Sequence, residues 1–275
     1  MDSDVDRVER ALRGELLYGD DFGQSEIEAW FDDEREGYFN LYYAGATHHG
    51  DRYEYEALAN EHGFSWLPKR SYLHTLGIGS GDGAELRTLL TRSDWITVLE
   101  PSEGFSRAHI AGRRVTYVKP DPSGLMPFAE NTFDLIVCFN VLHHIPNVST
   151  IINEMYRVLT PNGFALLREP THSMGDWRAP RRGLTRRERG IPLSIFREML
   201  RQAKFVIVKE TPCMFSLTSR LSWIISKPIW RIKWIVRIDR AFCAMPFWPN
   251  RYHARNAVDK LRATAVAYVL SKSPS

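Results

Sequence analysis

Residues 72–83 read Tyr72-Leu73-His74-Thr75-Leu76-Gly77-Ile78-Gly79-Ser80-Gly81-Asp82-Gly83, an apolar run that leads directly into a glycine-rich turn. The run Tyr72–Ile78 has the length of a buried strand, and Leu86, Leu89 and Leu90 after the turn predict a helix. Such a turn lets backbone amides approach a ligand because no side chain intervenes. By itself it is compatible with a nucleotide-like ligand, with a dinucleotide or with no ligand at all.

The chain beyond this stretch keeps the same pattern. Short apolar runs alternate with helical patterns, which is typical of a parallel sheet covered by helices on both faces. Further strands are predicted at residues 95–99, 115–118, 133–139, 164–167, 205–208 and 264–270. Helices are predicted at residues 149–159, with Ser149 as the N-cap, and at 192–202, and Pro161-Asn162-Gly163 predicts a turn. The sequence therefore predicts an α/β fold.

Composition excludes several classes of protein. Hydrophobic residues make up 44% of the 275 residues and there are only 18 Gly and 15 Pro, which excludes disordered, collagen-like and disulfide-scaffold chains. Cys138, Cys213 and Cys243 lack metal-ligand spacing, so we expect buried, reduced thiols and no bound metal. Because no run reads as a signal peptide or as a membrane span of ~18 apolar residues, we expect a cytoplasmic protein.

Charge divides the chain unevenly. The 36 basic and 33 acidic residues leave a net charge of +3, but residues 1–35 are rich in acids and the chain after residue 177 is rich in arginine. Residues 1–70 mix aromatic and acidic residues without strand alternation, so we predict a helical N-terminal cap there. Residues 71–275 then form the main domain, with a basic insert at 171–191 and an aromatic and basic helical insert at 217–255.

A carboxylate stands at the end of the second predicted strand. Glu100 lies 17 positions after Gly83, and in doubly wound nucleotide folds an acid at about this distance accepts both ribose hydroxyls. The alternative is a solvated loop glutamate.

Six ordered motifs between about residues 72 and 170 resemble the class I S-adenosylmethionine-dependent methyltransferases, in particular the type 11 group. They are residues 76–83, 100–102, 126–134, 141–146, 154–163 and 168–170. The strings Ser173-Met174-Gly175-Asp176-Trp177-Arg178 and Thr185-Arg186-Arg187-Glu188-Arg189-Gly190-Ile191-Pro192 are similar to strings in bacterial methyltransferases associated with polysaccharide clusters. The resemblance implies a seven-stranded, doubly wound, mainly parallel sheet of the Rossmann-like methyltransferase type.

The resemblance also implies S-adenosyl-L-methionine as cofactor and assigns residues to it. Gly79, Gly81 and Gly83 would lie under its methionine part, Glu100 would hold the ribose, Asp121, Ser123 and Gly124 would contact adenine, and Asn140 would close the site. Ser80 and Ser102 would also bind the cofactor. One position departs from the family, because Gly77 stands where an acid usually helps to hold the methionine ammonium. Candidates for the compensating contact are Tyr43, Arg52 and Tyr53.

The expected chemistry is methyl transfer to an oxygen of a sugar-type acceptor. A hydroxyl acceptor requires a base, and His143 and His144 follow the fourth predicted strand, at the sheet edge where ligands bind. Glu169 ends the next strand and could orient a histidine or act itself. His144 is favoured slightly, although one ring could simply pack. The alternatives are C-methylation of a quinone or polyketide-type ring, a nicotinamide-dependent oxidoreductase, and a non-catalytic cofactor-binding protein.

The two inserts bear on the acceptor. Trp177, Arg178, Arg181 and Arg182 directly follow Glu169 in the chain and would bind an anionic acceptor such as a phosphorylated or nucleotide-linked sugar, unless they form a solvated loop. Residues 221–247 have the makeup of an interfacial helix that could collect a lipid-linked acceptor at a membrane surface, or simply cover the sheet. No nucleic-acid partner is expected, because no binding module accompanies the basic residues.

Overall fold

The computed structural model describes residues 4–41, 53–177, 179, 181, 183–225, 228–249 and 251–274. Tyr43, Arg52, Arg178 and Arg182, which the sequence suggests as ligand-binding residues, lie outside these described residues. In the described chain no helix is both long and apolar enough to cross a bilayer.

A seven-stranded sheet forms the centre of the molecule, as predicted. Its strands are β1 (Tyr72–Ile78), β2 (Ser93–Leu99), β5 (Thr116–Val118), β6 (Phe133–Phe139), β7 (Leu159–Pro170), β8 (Val206–Phe215) and β9 (Ala263–Ser271). A separate two-stranded hairpin is formed by β3 (His109–Ile110) and β4 (Arg113–Arg114). The order across the large sheet is β5-β2-β1-β6-β7-β9-β8, and all its strands are parallel to their neighbours except β9, which is antiparallel to both β7 and β8.

Both faces of the sheet are buried, which explains why its central strands are apolar without alternation. Along β6, Ile136 and Cys138 pack into one core cluster, while Leu135 and Val137 pack into the cluster on the opposite face. Cys138, Cys213 and Cys243 are free and buried, as expected from their spacing.

Seven helices are present among the described residues. They are α1 (Asp4–Leu12), α2 (Gln24–Leu41), α3 (Glu56–His62), α4 (Val148–Val158), α5 (Leu193–Gln202), α6 (Ser216–Ile225) and α7 (Lys233–Cys243). The apolar face of α4 packs on the sheet through Val148, Ile151, Ile152, Met155 and Val158.

The prediction that Ser149 caps α4 is wrong. Asn147 is the N-cap residue, and the backbone amide of Ser149 donates to Asp20 Oδ1 at 2.8 Å. A carboxylate from the N-terminal segment therefore satisfies one of the amides that the first turn of a helix leaves unpaired. Sequence neighbours could not reveal this cap, because the accepting residue is 129 positions away.

Two strands, β7 and β8, are longer than the apolar runs that predicted them by six residues or more. Residues 161–163, where the sequence predicts a turn, lie inside β7. Asn162 N donates to Lys272 O and Lys272 N donates to Gly163 O, which extends the strand, and the pairing of β7 with β6 is irregular beside these residues. β8 continues through Lys209, Glu210 and Pro212. It is the edge strand of the sheet, so polar residues and a proline are tolerated there.

The chain order creates a crevice at the carboxyl edge of the parallel strands. From β1 the chain proceeds outward to β2 and β5, and then returns to the other side of β1 as β6 and β7. Ligands of open α/β sheets bind where the strand order reverses in this way. The loops after β1, β2 and β6 and the end of β7 therefore converge at one place.

Candidate active site

The loop after β1 forms the floor of the crevice, and its neighbours hold it on two sides. Gly81 N donates to Glu100 Oε2 at 2.9 Å, and the Tyr117 hydroxyl donates to Gly81 O at 2.9 Å. Gly79 and Gly81 have φ values of +59° and +49°, a left-handed conformation that glycine adopts without strain. A Cβ on Gly79 would lie 2.5 Å from Val141 Cγ1, so the loops after β1 and β6 need a glycine to approach each other.

Glu100 is the buried acid of this floor. One carboxylate oxygen accepts from Gly81 N, the other accepts from Ser102 N at 3.1 Å, and the residue is 6% exposed. Burial raises the pKa of Glu100 to about 7, although the two amide bonds oppose this. Each oxygen keeps a lone pair that can accept a hydroxyl, so the geometry suits the ribose role expected for Glu100.

A small cavity of about 110 Å³ lies beside Glu100. Among the residues expected to bind the cofactor, Gly79, Ser102, Asp121, Gly124 and Asn140 line it together with Glu100. Apolar side chains such as Leu99 and Ile151 form much of the rest of the wall, which suits a flat base.

Helix α2 closes this small cavity through Phe31, Glu34, Arg35 and Tyr38, none of which the sequence singled out. The Ser102 hydroxyl donates to the backbone oxygen of Arg35, which fixes the helix over the loop.

Gly83 and Ser123 are not among the residues that line the two cavities. A Cβ on Gly83 would lie 2.1 Å from Ile110 Cδ1, so this glycine permits packing against the β3–β4 hairpin. The Ser123 carbonyl accepts from Asn147 Nδ2 at 2.6 Å and thereby supports the loop that carries Asp121.

A much larger cavity of about 1180 Å³ opens from the glycine loop toward the C-terminal part of the chain. Tyr53, Gly79, Ser80, Gly81 and Asn140 line the end beside the glycine loop, where the cofactor is expected, and we call this the cofactor end. His143 and His144 also line the cavity. The far wall of this cavity is formed by side chains from two parts of the chain. The 171–191 insert contributes His172, Ser173, Met174, Leu184 and Glu188, and the chain after residue 213 contributes Met214, Ser216, Ser219, Arg220, Ile224, His253, Lys260, Arg262 and Thr264.

Glu169 is fully buried at the end of β7 and holds His143. Its Oε1 accepts from the backbone amides of Val141 and Leu142, and its Oε2 accepts from the amide of His143 at 3.3 Å and pairs with His143 Nδ1 at 2.7 Å. Four N–H contacts leave this carboxylate no free direction toward a substrate. Glu169 is therefore a positioning residue, and Nε2 is the ring nitrogen of His143 that remains for chemistry.

His144 has a different carboxylate partner, Glu34 of α2. The Nδ1 of His144 lies 2.7 Å from Glu34 Oε2 and 3.8 Å from Glu188 Oε1. Burial works to lower the pKa of His144, but the hydrogen bond to Glu34 and the charges of Glu188, Glu34 and Glu169 outweigh it and raise this pKa. A raised pKa widens the pH range over which the ring is protonated and cannot accept a proton, which counts against the slightly preferred His144 as the base.

Glu34 is buried and connects three parts of the chain. Besides His144 it accepts from the Thr185 hydroxyl and from the Arg187 amide, and these bonds lower its pKa against the opposing effect of burial. Trp30, one turn earlier on α2, donates from Nε1 to His144 O at 2.7 Å. Sequence reasoning missed both residues, since nothing in an acidic helix distinguishes the one acid that is buried.

One cluster could hold a cation. His143, His144 and Glu188 each present a ligand atom, and these atoms lie within 4.8 Å of one another. Because Glu34 already engages Nδ1 of His144, a cation there would have to compete for that histidine with its proton.

Arg181 holds the 171–191 insert together. Arg181 donates to the backbone oxygens of Met174, Thr185, Arg186 and Glu188. Trp177 stacks on Tyr18 at 5.5 Å between ring centroids and donates from Nε1 to Ser173 O. The contacts of these two predicted acceptor-binding residues thus lie within the protein, and neither residue lines the large cavity.

Arg189 ties the insert to the histidine loop. It is fully buried and donates to the backbone oxygens of Tyr18, Leu142, His143, Ile145 and Pro146. Its guanidinium also lies over the Trp30 ring, 5.2 Å from the centroid. Arg181 and Arg189 of the insert therefore donate their hydrogen bonds to backbone carbonyl oxygens of the protein.

Comparison with known proteins agrees with this geometry. Residues 76–167 match the family model described as a methyltransferase domain. The match covers 92 of the 275 residues, about a third of the chain. A ubiquinone biosynthesis O-methyltransferase from Dechloromonas aromatica is 29% identical over 97 residues, which cover 34% of this chain and 42% of that protein. The chain therefore spans less than half the length of this curated relative.

Solved structures extend the similarity of the methyltransferase domain to most of the chain. An S-adenosylmethionine-dependent methyltransferase from Mesorhizobium loti is 16% identical with a TM-score of 0.51, covering 76% of this chain and 95% of that one. Phosphoethanolamine N-methyltransferase 2 from Haemonchus contortus, solved with S-adenosyl-L-methionine, is 19% identical with a TM-score of 0.51, covering 79% of this chain and 52% of that one. At these identities the likeness is one of fold, and the fold is that of the class I methyltransferases.

Proposed function

We propose that this protein is an S-adenosylmethionine-dependent methyltransferase that acts on a hydroxyl oxygen, with His143 as the base. The observation that carries the proposal is the pairing of His143 Nδ1 with the buried Glu169 at 2.7 Å, on the wall of the large cavity next to the glycine loop. A carboxylate that fixes Nδ1 sets the imidazole tautomer and stabilises the imidazolium formed when Nε2 takes a proton.

The residues at the cofactor end fit S-adenosylmethionine, which supplies an electrophilic methyl group when bound. Glu100 would accept the ribose hydroxyls, and the small apolar cavity beside it, lined by Asp121 and Gly124, would take the adenine. Gly79 and Gly81 allow close approach of the backbone to the remainder of the molecule.

The protein's own part in the reaction is to orient the acceptor, exclude water and receive the hydroxyl proton. His143 Nε2 would take the hydroxyl proton as the acceptor oxygen bonds to the methyl carbon and the bond from that carbon to the sulfonium sulfur breaks, which leaves a neutral thioether. Glu169 would stabilise the imidazolium that results. His144 would stay paired with Glu34 beside the reacting groups, and the raised pKa of its ring widens the pH range over which the ring is protonated.

We infer that the acceptor is a sugar-type molecule that carries an anionic group. The lining of the large cavity supports this, because it includes Ser216 and Ser219 together with the cations Arg220, Lys260 and Arg262. Such a wall offers many hydrogen bonds to a hydroxylated acceptor and a favourable field for phosphate or carboxylate. The anion-binding side chains would then come from residues 220–262 instead of the 171–191 insert.

A phenolic acceptor is the second candidate. It is favoured by the similarity to the Dechloromonas ubiquinone biosynthesis O-methyltransferase, although that match lies within about a third of the chain. C-methylation of such a ring is the corresponding alternative, in which His143 would remove a proton to make carbon nucleophilic.

We further propose that the C-terminal insert brings the protein to a membrane surface. Apolar side chains stand exposed on α6 and α7, including Ile224 at 80% and Trp234 at 64%, close in sequence to Lys233 and Arg237. Sedimentation with anionic vesicles is expected to capture the protein, and the double variant Ile224→Asp/Trp234→Asp is expected to stay in solution. Equal recovery of both proteins in the supernatant would contradict this proposal.

The acceptor experiment uses labelled S-adenosylmethionine with a panel of nucleotide-linked sugars, sugar phosphates and catechols. We expect an oxygen-linked methyl group on a sugar-containing product, and loss of transfer in His143→Ala with S-adenosylhomocysteine binding retained. Methylation of catechols alone would contradict the sugar proposal, and a carbon-bound methyl would favour the C-methylation alternative. Binding without transfer to any acceptor would favour a non-catalytic protein, whereas tight NAD binding without S-adenosylhomocysteine binding would refute the methyltransferase assignment.

A further inference from the structure

Position 77 has no room for the acid that the methyltransferase resemblance implies there. A Cβ on Gly77 would lie 2.5 Å from Ser80 Oγ and 2.7 Å from Leu86 Cδ1. Gly77 is not among the glycines with a positive φ, so packing and not backbone conformation excludes a side chain. The volume that a carboxylate at position 77 would enter is thus already filled by the side chains of Ser80 and Leu86.

A different carboxylate reaches the same neighbourhood. Glu85 lies in the first turn of the short 3-10 helix Ala84–Leu89, immediately after the glycine loop. It is 8% exposed and lines the large cavity together with Gly79, Ser80 and Gly81. Its carboxylate interacts with the Ser80 hydroxyl, the same group that lies in front of Gly77.

Glu85 lacks a cation of its own. Among the described residues no Lys, Arg or His nitrogen lies within ion-pairing distance of its carboxylate, and the buried Arg168 acts on it only at longer range. Burial raises the pKa of Glu85 to about 7. A buried acid that lines a cavity and has no paired cation is an incomplete ion pair, which a cationic ligand group would complete.

The other polar groups at this end of the cavity are already engaged. Asp82 accepts from Ala84 N and lies 3.7 Å from Arg107. Glu100 is bound to the amides of Gly81 and Ser102. Tyr53, a candidate from the sequence, accepts from Arg168 Nη2 at 2.8 Å, and burial raises its pKa to about 12, so that it carries no negative charge.

We propose that Glu85 replaces the missing acid at position 77 and binds the α-ammonium group of the methionine part of S-adenosylmethionine. This proposal rests on the proposed function, since it presumes that this cofactor occupies the cavity. Glu85 lies eight positions after Gly77, in the first turn after the glycine loop, and interacts with the Ser80 hydroxyl that lies in front of Gly77.

Two ligands that differ only at the amino-acid end test the proposal by calorimetry. S-adenosylhomocysteine carries the ammonium group, whereas 5′-methylthioadenosine has the same adenosine and sulfur without it. Glu85→Gln is expected to weaken S-adenosylhomocysteine binding at least tenfold and to leave methylthioadenosine binding within twofold of the unchanged protein. Glu103→Gln, which makes the same change at an exposed acid that lines neither cavity, is the control and is expected to change neither affinity.

The outcomes separate this inference from the function on which it rests. If the unchanged protein binds neither ligand, the proposed function fails. If it binds both and Glu85→Gln leaves S-adenosylhomocysteine unaffected, or weakens both ligands equally, the role of Glu85 is refuted and the function stands.

A second measurement needs no mutation and stays informative if the variant does not fold. The deaminated analogue of S-adenosylhomocysteine, which keeps the carboxylate but lacks the ammonium, is expected to bind the unchanged protein at least tenfold more weakly than S-adenosylhomocysteine. Equal affinities would overturn the proposal.

Discussion

Replacement of Glu169 by glutamine tests the proposed base most directly. The variant keeps the size of the side chain and one carbonyl oxygen, which can still accept from Val141 N and Leu142 N. In place of Oε2, however, it presents an NH2 group to two other donors, the amide and the Nδ1–H of His143. The imidazole can relieve this conflict by moving its proton to Nε2, where it can no longer accept one from a substrate.

The hydrogen bonds lost in Glu169→Gln determine the expected losses of stability and of rate. Two charge-assisted contacts of a fully buried carboxylate are lost, at 3.3 Å and 2.7 Å, so we expect the free energy of unfolding to fall by about 2–4 kcal/mol. The rate of methyl transfer should fall by about 10² to 10⁴, because the wrong tautomer removes general-base catalysis and the support of the imidazolium.

The assay is single-turnover transfer from labelled S-adenosylmethionine, with S-adenosylhomocysteine binding and urea unfolding measured on the same preparation. Glu34→Gln is the matched control, since it makes the same change at the partner of His144. We expect Glu34→Gln to reduce the rate by less than tenfold. If Glu169→Gln transfers methyl within threefold of the unchanged protein while Glu34→Gln loses 100-fold, then His144 is the base and our reasoning is wrong.

Three further predictions concern stability. Burial raises the pKa values of Glu85 and Glu100 to about 7, so the folded state holds protons that the unfolded state releases between about pH 4.5 and 7. Urea unfolding should therefore show lower stability at pH 8 than at pH 5.5, by at most about 2 kcal/mol for each group, and an increase in stability with pH would contradict this. Gly83→Ala combines a φ of +74° with a 2.1 Å approach to Ile110 and should cost about 2–5 kcal/mol, whereas Gly112→Ala, with a φ of +82° and open space, should cost about 1–2 kcal/mol in the same unfolding experiment. Trp30→Phe keeps the ring contacts but loses the bond to His144 O, so we expect a loss of about 1–3 kcal/mol, and an unchanged urea midpoint would show that this bond contributes nothing.

Local sequence signals were sufficient for the sheet and for much of the cofactor end. The bounds of β1 and β6 coincide with their apolar runs, because a strand buried on both faces must be apolar throughout. The Gly79–Gly81 turn and Glu100 could be expected at one edge, because parallel strands that follow one another place their carboxyl ends together. The lengths of β7 and β8 were underestimated, because pairing with β9 extends them through residues without strand character.

The residues that line the acceptor part of the large cavity were less predictable, because the number of basic residues in a segment does not show which side chains face the cavity. The 171–191 insert is rich in arginine, yet Arg181 and Arg189 donate hydrogen bonds to backbone oxygens of the protein. The cations that line the large cavity, Arg220, Lys260 and Arg262, lie in parts of the chain without a recognisable motif.

By itself the sequence determined the layered α/β fold, the glycine loop and the presence of His143, His144 and Glu169 near one edge, because these depend on residues close together in the chain or on the regular order of strands. Only the tertiary structure decided which carboxylate holds each histidine. Glu169 reaches His143 across 26 positions and Glu34 reaches His144 across 110. Likewise, only packing around Gly77 excluded an acid there and brought Glu85 to the same volume. Contacts of this kind follow from how distant segments fill space together, which no local pattern records.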